Sequence, residues 1–195
     1  MSFAAASIGT ETAGSIVGHS SVNGIVGMKP TIALVSRRGI VPISLNQDSS
    51  GPMTRSVRDA ALILDAIAGS DPEDPWSEAA NANGADYVAA LDTAALRERR
   101  IGVVRPISGN RAVWALFDDA LEVLEAQGAE LVDVPAEELV DPGPEMRTIL
   151  LHDFKLDLNA YLAGTPETVE VRTLAALIDF RRRDGVRELE VPRRK

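Results

Sequence analysis

One stretch constrains this chain more than any other: Gly9-Thr10-Glu11-Thr12-Ala13-Gly14-Ser15-Ile16. It is a run of small and hydroxyl residues that ends in a serine and meets an apolar run at once. Gly and Ala put little bulk around a backbone, so such a loop can aim several N–H groups at one point. An oxyanion could sit at that point, with Ser15 as the attacking nucleophile. Two other readings of the stretch fit less well. A phosphate-cradling loop of the Gly-x-x-x-x-Gly-Lys type needs a lysine where Gly14 stands directly against Ser15. A Gly-x-Ser-x-Gly elbow fails because Ser15 lies in Gly-Ser-Ile-Val-Gly.

The continuation sharpens the reading. Asn23-Gly24-Ile25-Val26-Gly27-Met28-Lys29-Pro30-Thr31 follows, then Val35-Ser36-Arg37, then Asp48-Ser49-Ser50-Gly51-Pro52-Met53-Thr54-Arg55-Ser56-Val57. In this order and spacing the segments resemble the amidase signature family of serine amide hydrolases. The resemblance is specific over residues 9–69 and looser to about residue 180. It implies an α/β fold with helices around a mixed β-sheet, incomplete in this chain. It also implies amide hydrolysis through an acyl-enzyme, with Ser15 as nucleophile and backbone N–H groups of Thr12, Ala13, Gly14 and Ser15 as the oxyanion hole. The Glu11 and Gln47-Asp48 variants resemble the subgroup acting on peptide amides. No cofactor is implied, and the substrate is a small amide.

The family's triad is Ser-Ser-Lys. Its lysine and bridging serine belong to segments that come before the nucleophile motif, and the residues before Gly9 contain neither. An unassisted serine hydroxyl is a weak nucleophile. The expectation is an interior piece of a longer amidase, inactive alone; the alternative is a non-catalytic remnant or partner-binding fragment. Lys29 lies in a segment whose lysine is not the family's base. His19, four residues after Ser15, has no orienting carboxylate in the sequence. His152 falls in a helical pattern, as a surface or boundary residue. Asp48 and Arg55 bracket Gly51-Pro52-Met53, read as a turn, and are expected to form an ion pair that supports the site.

The 195 residues suit one ordinary domain, and the composition is globular. A net charge of −9 argues against nucleic acid or anionic membrane as partner. Cysteine is absent, and the two histidines are far apart, so no metal site is expected. No signal peptide or spanning segment is evident, and a cytoplasmic location is the default expectation. Strands that lack neighbours would leave sheet edges open and favour dimerisation or aggregation.

Periodicity predicts a helix over 56–68, capped by Ser56 with Asp59 at the capping-box position. Ile32–Val35 and Gly39–Ile43 read as short extended segments, and 70–83 as an exposed loop. A strand over 100–104, a helix over 111–127 stopped by Gly128 and a strand over 130–134 predict a parallel crossover. Further helices are expected over 146–162 and 171–180. In the family this later region borders the substrate cavity, where Phe154, Leu158 and Tyr161 would be available. The expected organisation is a partial domain over 1–180, divided into 1–69, 70–99 and 100–180. Residues 181–195, with seven basic and three acidic side chains, read as a disordered basic tail.

Overall fold

The structure is a computed structural model that describes residues 4–105, 110–135 and 143–183. It is α/β. The described residues up to Gly84 group with those from Pro144 onward, and Ala85–Gly143 forms a second unit.

In the first unit, β1 (Ala6–Glu11), β2 (Val26–Gly27) and β3 (Ser49–Thr54) form an antiparallel sheet in the order β1-β3-β2. Glu11 pairs with Ser49, and Gly9 with Gly51. The sequence reading takes Gly51-Pro52-Met53 as a turn; the structure makes these residues the middle of the central strand. The reason is packing. A Cβ at Gly51 would collide with the Met28 carbonyl oxygen, so only glycine admits the chain that passes there. Pro52 carries no N–H, but its carbonyl still accepts the Met28 N–H at 3.0 Å.

Helix α1 (Val17–Asn23) follows the Gly9–Ile16 segment and ends at Gly24 in the left-handed conformation. Helix α2 (Val57–Ile67) starts where expected, with the Asp59 N–H donating to the Ser56 hydroxyl at 3.1 Å. Its Ala60, Ala61 and Leu64 are buried, whereas Val57, expected on the same face, is exposed. Ile16 and Leu64 are fully buried and centre a small core with Val35. Burying a side chain the size of Ile16 contributes roughly 1.5–3 kcal/mol, which fixes the residue next to Ser15.

Three expectations are corrected here. Residues 32–35 and 39–43 form no continuous strand: the Leu34 N–H bonds Thr31 and the Ile40 N–H bonds Arg37 in turns, while Val35 makes a single antiparallel bridge to Ala68. Residues 70–83 are not a plain exposed loop. A 3-10 turn (Pro75–Ser77) and α3 (Ala80–Asn83) form there, and Asp74 and Ser77 are buried. The basic tail begins as helix, because α6 (Leu174–Arg183) takes in residues 181–183; the rest of the tail lies outside the described residues. Helix α5 (Gly143–Ala163) buries Leu158, while Phe154 and Tyr161 are half-buried.

In the second unit, β4 (Arg100–Val104) and β5 (Glu130–Val134) pair in parallel, joined by α4 (Arg111–Ala126). The crossover is the expected one. Among the described residues the strands form an antiparallel sheet and a parallel pair. Trp114, Phe117, Leu121 and Leu124 of α4 are half-buried, whereas Val113 and Leu116 are exposed. Among the described residues no helix is long and apolar enough to cross a membrane.

Candidate active site

The segment from Gly9 to Ile16 is built around one carboxylate. Glu11, the last residue of β1, is 5% exposed and turns its side chain under the following loop. Its Oε1 accepts the Gly14 N–H at 2.7 Å, and its Oε2 accepts the N–H groups of Ile16 at 2.8 Å and Val17 at 2.9 Å. Gly14 adopts φ +91°, which an L side chain would resist, and this lets the loop fold over the carboxylate. Burial is the largest single influence on Glu11 and pushes its pKa up. The N–H groups of Val17, Gly14 and Ile16, with the nearby Lys29 charge, outweigh it and hold the carboxyl below its ordinary 4.5.

This arrangement bears on the phosphate-loop reading and on the oxyanion hole. A phosphate would want the concavity of N–H groups that Glu11 already fills with the chain's own anion. The Gly14 N–H also faces inward to Glu11, so this geometry does not offer it to an oxyanion. The N–H groups of Thr12, Ala13 and Ser15 have no protein partner among the described residues. Ser15 itself is exposed. His19 does meet Ser15, but at the backbone: its Nδ1 donates to the Ser15 carbonyl at 2.8 Å. Among the described residues no base hydrogen-bonds the Ser15 hydroxyl. Half-buried Lys29 serves Glu11 as a countercharge.

Asp48 does not pair with Arg55. Its Oδ1 accepts the Thr12 hydroxyl at 2.5 Å, and its Oδ2 accepts the N–H groups of Ile43 and Ser44 at 2.8 and 3.0 Å. Strand β3 stands between Asp48 and Arg55, and six residues of strand span about 20 Å. Arg55 is exposed at the far end. The turn that carries Asp48 is held in its own right. The Ser44 hydroxyl and the Asn46 amide donate to Asp153 Oδ2 of α5 at 2.6 and 3.1 Å, and the Leu45 N–H donates to Asp157 at 2.8 Å. Arg37 donates to the Leu45 carbonyl and forms a buried ion pair with Asp74 at 3.0 Å.

The sequence reading missed Glu11 as a ligand for backbone N–H groups, quoted Arg37 as part of a family segment without giving it a role, and missed Asp74, Asp153 and Asp157. A usable signal existed for Glu11, an acid set just before a glycine-rich turn, and for Arg37, which the resemblance singles out. Among the described residues no group of acids and histidines is placed to hold a metal ion.

The amidase family model matches residues 1–193. The protein belongs to the amidase family. A probable amidase of Arabidopsis thaliana is 40% identical over 185 residues, 90% of this chain and 34% of that protein. The native peptide amidase of Stenotrophomonas maltophilia superposes with a TM-score of 0.84 at 43% identity, covering 96% of this chain and 39% of the other. An amidase family protein of Bacillus anthracis gives 0.84 at 31% identity, covering 97% of this chain and 37% of the other. This amidase-family chain thus matches 34%, 39% and 37% of the length of these three relatives.

The carboxylates that hold the site make its stability depend on acid. Burial pushes Asp74 up, but its bonds to Arg37 bring it below the ordinary 3.8; the Ser44 hydroxyl, then the Asn46 amide, hold Asp153 below the same value. All are lowered in the fold, as Glu11 is, so the unfolded chain takes up protons first as pH falls. Their stabilisation is complete above about pH 4.5 and is lost progressively below it, through the lowered folded values. The urea midpoint should therefore be flat from about pH 7 to about pH 5 and fall steeply towards about pH 3. A midpoint unchanged at about pH 3 would show that these carboxylates do not hold the fold.

Proposed function

We propose that this chain carries the nucleophile of a serine amide hydrolase acting on peptide amides or similar small carboxamides. The observation that carries the reading is the turn folded over Glu11. It leaves Ser15 exposed beside the N–H groups of Thr12, Ala13 and Ser15, which have no protein partner among the described residues. Ser15 Oγ attacks the amide carbon, and these N–H groups take the charge that develops on the carbonyl oxygen. The C–N bond breaks, and the amine or ammonia leaves with a proton. Water then cleaves the Ser15 ester, releasing the carboxylic acid and restoring the hydroxyl. Among the described residues no base reaches the Ser15 hydroxyl, so the proton acceptor is not assigned to any of them. The family and the likeness to peptide amidase support the reaction class.

The test is a chimera in which this chain replaces the matched 39% of the Stenotrophomonas maltophilia peptide amidase. It should release ammonia from an amidated dipeptide, and a fluorophosphonate should add to the tryptic peptide containing Ser15. A folded chimera labelled at another serine would refute Ser15 as nucleophile.

A further inference from the structure

We propose that Asp48 is a positioning residue for Ser15, and that Asp153 and Asp157 of α5 fix its place through the turn 43–48. The proposal rests on Ser15 being the nucleophile. It begins at Thr12, the first residue of the loop after β1. Glu11 holds the far side of that loop through Gly14, Ile16 and Val17. Thr12 lies between this anchor and Ala13, and its hydroxyl is bound by Asp48 at 2.5 Å. Two carboxylates therefore hold the loop from two sides, and the second is not a neighbour in sequence.

Asp48 is buried and has little freedom. The oxygen that does not bind Thr12 is tied to the N–H groups of Ile43 and Ser44. The Asp48 and Gln47 N–H groups return to the Ser44 carbonyl and close the turn. Where Ser44 goes, Asp48 goes. Ser44 is fully buried, and its hydroxyl is held by Asp153 at 2.6 Å. At Leu45 both backbone polar groups are taken by charged side chains of opposite sign: Asp157 accepts the N–H, and Arg37 donates to the carbonyl. Asp153 and Asp157 are one helical turn apart, on one face of α5.

A short turn needs none of this to form, because its own N–H and carbonyl groups are satisfied internally or by water. Ordering charged side chains from segments more than a hundred residues away costs entropy. That expense fixes where the turn sits, and the turn presents the Asp48 carboxylate to the nucleophile loop. The path runs from α5 through Ser44 and Asp48 to Thr12, three residues from Ser15. A shift of α5 would move the Thr12 and Ala13 N–H groups relative to the hydroxyl.

The test uses the 195-residue chain. Amide hydrogen exchange is followed at Gly14, Ile16 and Val17, with Ala60, Ala61 and Leu64 of α2 as internal reference. Asp153→Ala should raise exchange at the first set about tenfold, the effect of losing one hydrogen bond, and leave the reference unchanged. Thr12→Val, which keeps the shape and removes the hydroxyl, should do the same, and Thr12→Ser should restore protection. If Asp153→Ala loosens both sets equally it has cost the fold, and Thr12→Val decides. The proposal is overturned if Thr12→Val leaves exchange at Gly14, Ile16 and Val17 unchanged, or if Asp153→Ala does so in a folded chain. Exchange is read without any catalysis. Failure of Ser15 to take up a fluorophosphonate in the peptide amidase chimera would sink the nucleophile reading separately.

Discussion

In the peptide amidase chimera, Ser15→Ala is expected to lower kcat/KM on an amidated peptide by at least about a thousandfold. The thermal midpoint should not move. Both expectations come from the same geometry. Ser15 is exposed, and its hydroxyl makes no hydrogen bond to a described residue, so removing it breaks nothing that holds the fold. The turn is held by Glu11 through Gly14, Ile16 and Val17, and the side chain of Ile16 anchors it in the core. Alanine at position 15 keeps all of these. What it loses is the covalent route, since no acyl ester can form without the oxygen. The N–H groups around the site would still polarise a bound carbonyl, which is why a small residual rate is expected. Ammonia release and a calorimetric scan on the same samples decide the matter. A loss below about tenfold with the fold intact would place the nucleophile elsewhere.

Why is the Gly9–Ile16 segment legible in the sequence while the groups that hold it are not? The segment is local: small residues, a serine and an apolar anchor fall within eight positions. The β4-α4-β5 crossover and the Ser56 cap of α2 are local too, written in periodicity and in one capping side chain. The bonds that position the site join residues far apart. Thr12 and Asp48 are 36 positions apart, Arg37 and Asp74 are 37, and Ser44 and Asp153 are 109. No pattern along a chain states which aspartate meets which donor. The sequence suggests Arg55 for Asp48 because the two bracket Gly51-Pro52-Met53, and the strand that runs between them separates the pair. The same strand was hidden by Gly51-Pro52, which reads as a turn until the Met28 carbonyl is seen packed against Gly51.

The largest expected effect on stability is at Arg37. Its side chain is 3% exposed, and that of Asp74 is 8%. The guanidinium grips the carboxylate in two places, Nη2 to Oδ1 at 3.0 Å and Nε to Oδ2 at 3.1 Å. The Arg37 backbone N–H reaches the same Oδ2 at 2.9 Å, and the guanidinium lies 5.3 Å from the centre of the Trp76 ring. Arg37→Met keeps much of the volume, gives up the guanidinium's stacking on Trp76 and leaves Asp74 ionised and buried without its partner. Breaking a buried pair from one side costs about 3–5 kcal/mol, far more than the pair adds over an apolar replacement. The urea midpoint of Arg37→Met should fall accordingly. Adding Asp74→Leu to Arg37→Met removes the orphaned charge and should recover most of that loss, although the Arg37 and Trp76 N–H groups then lose an acceptor. Hence the double variant should settle between Arg37→Met and the unaltered chain. If Asp74→Leu added to Arg37→Met lowers the midpoint further, the cost of Arg37→Met lies in the lost bond to Leu45 and not in the stranded carboxylate.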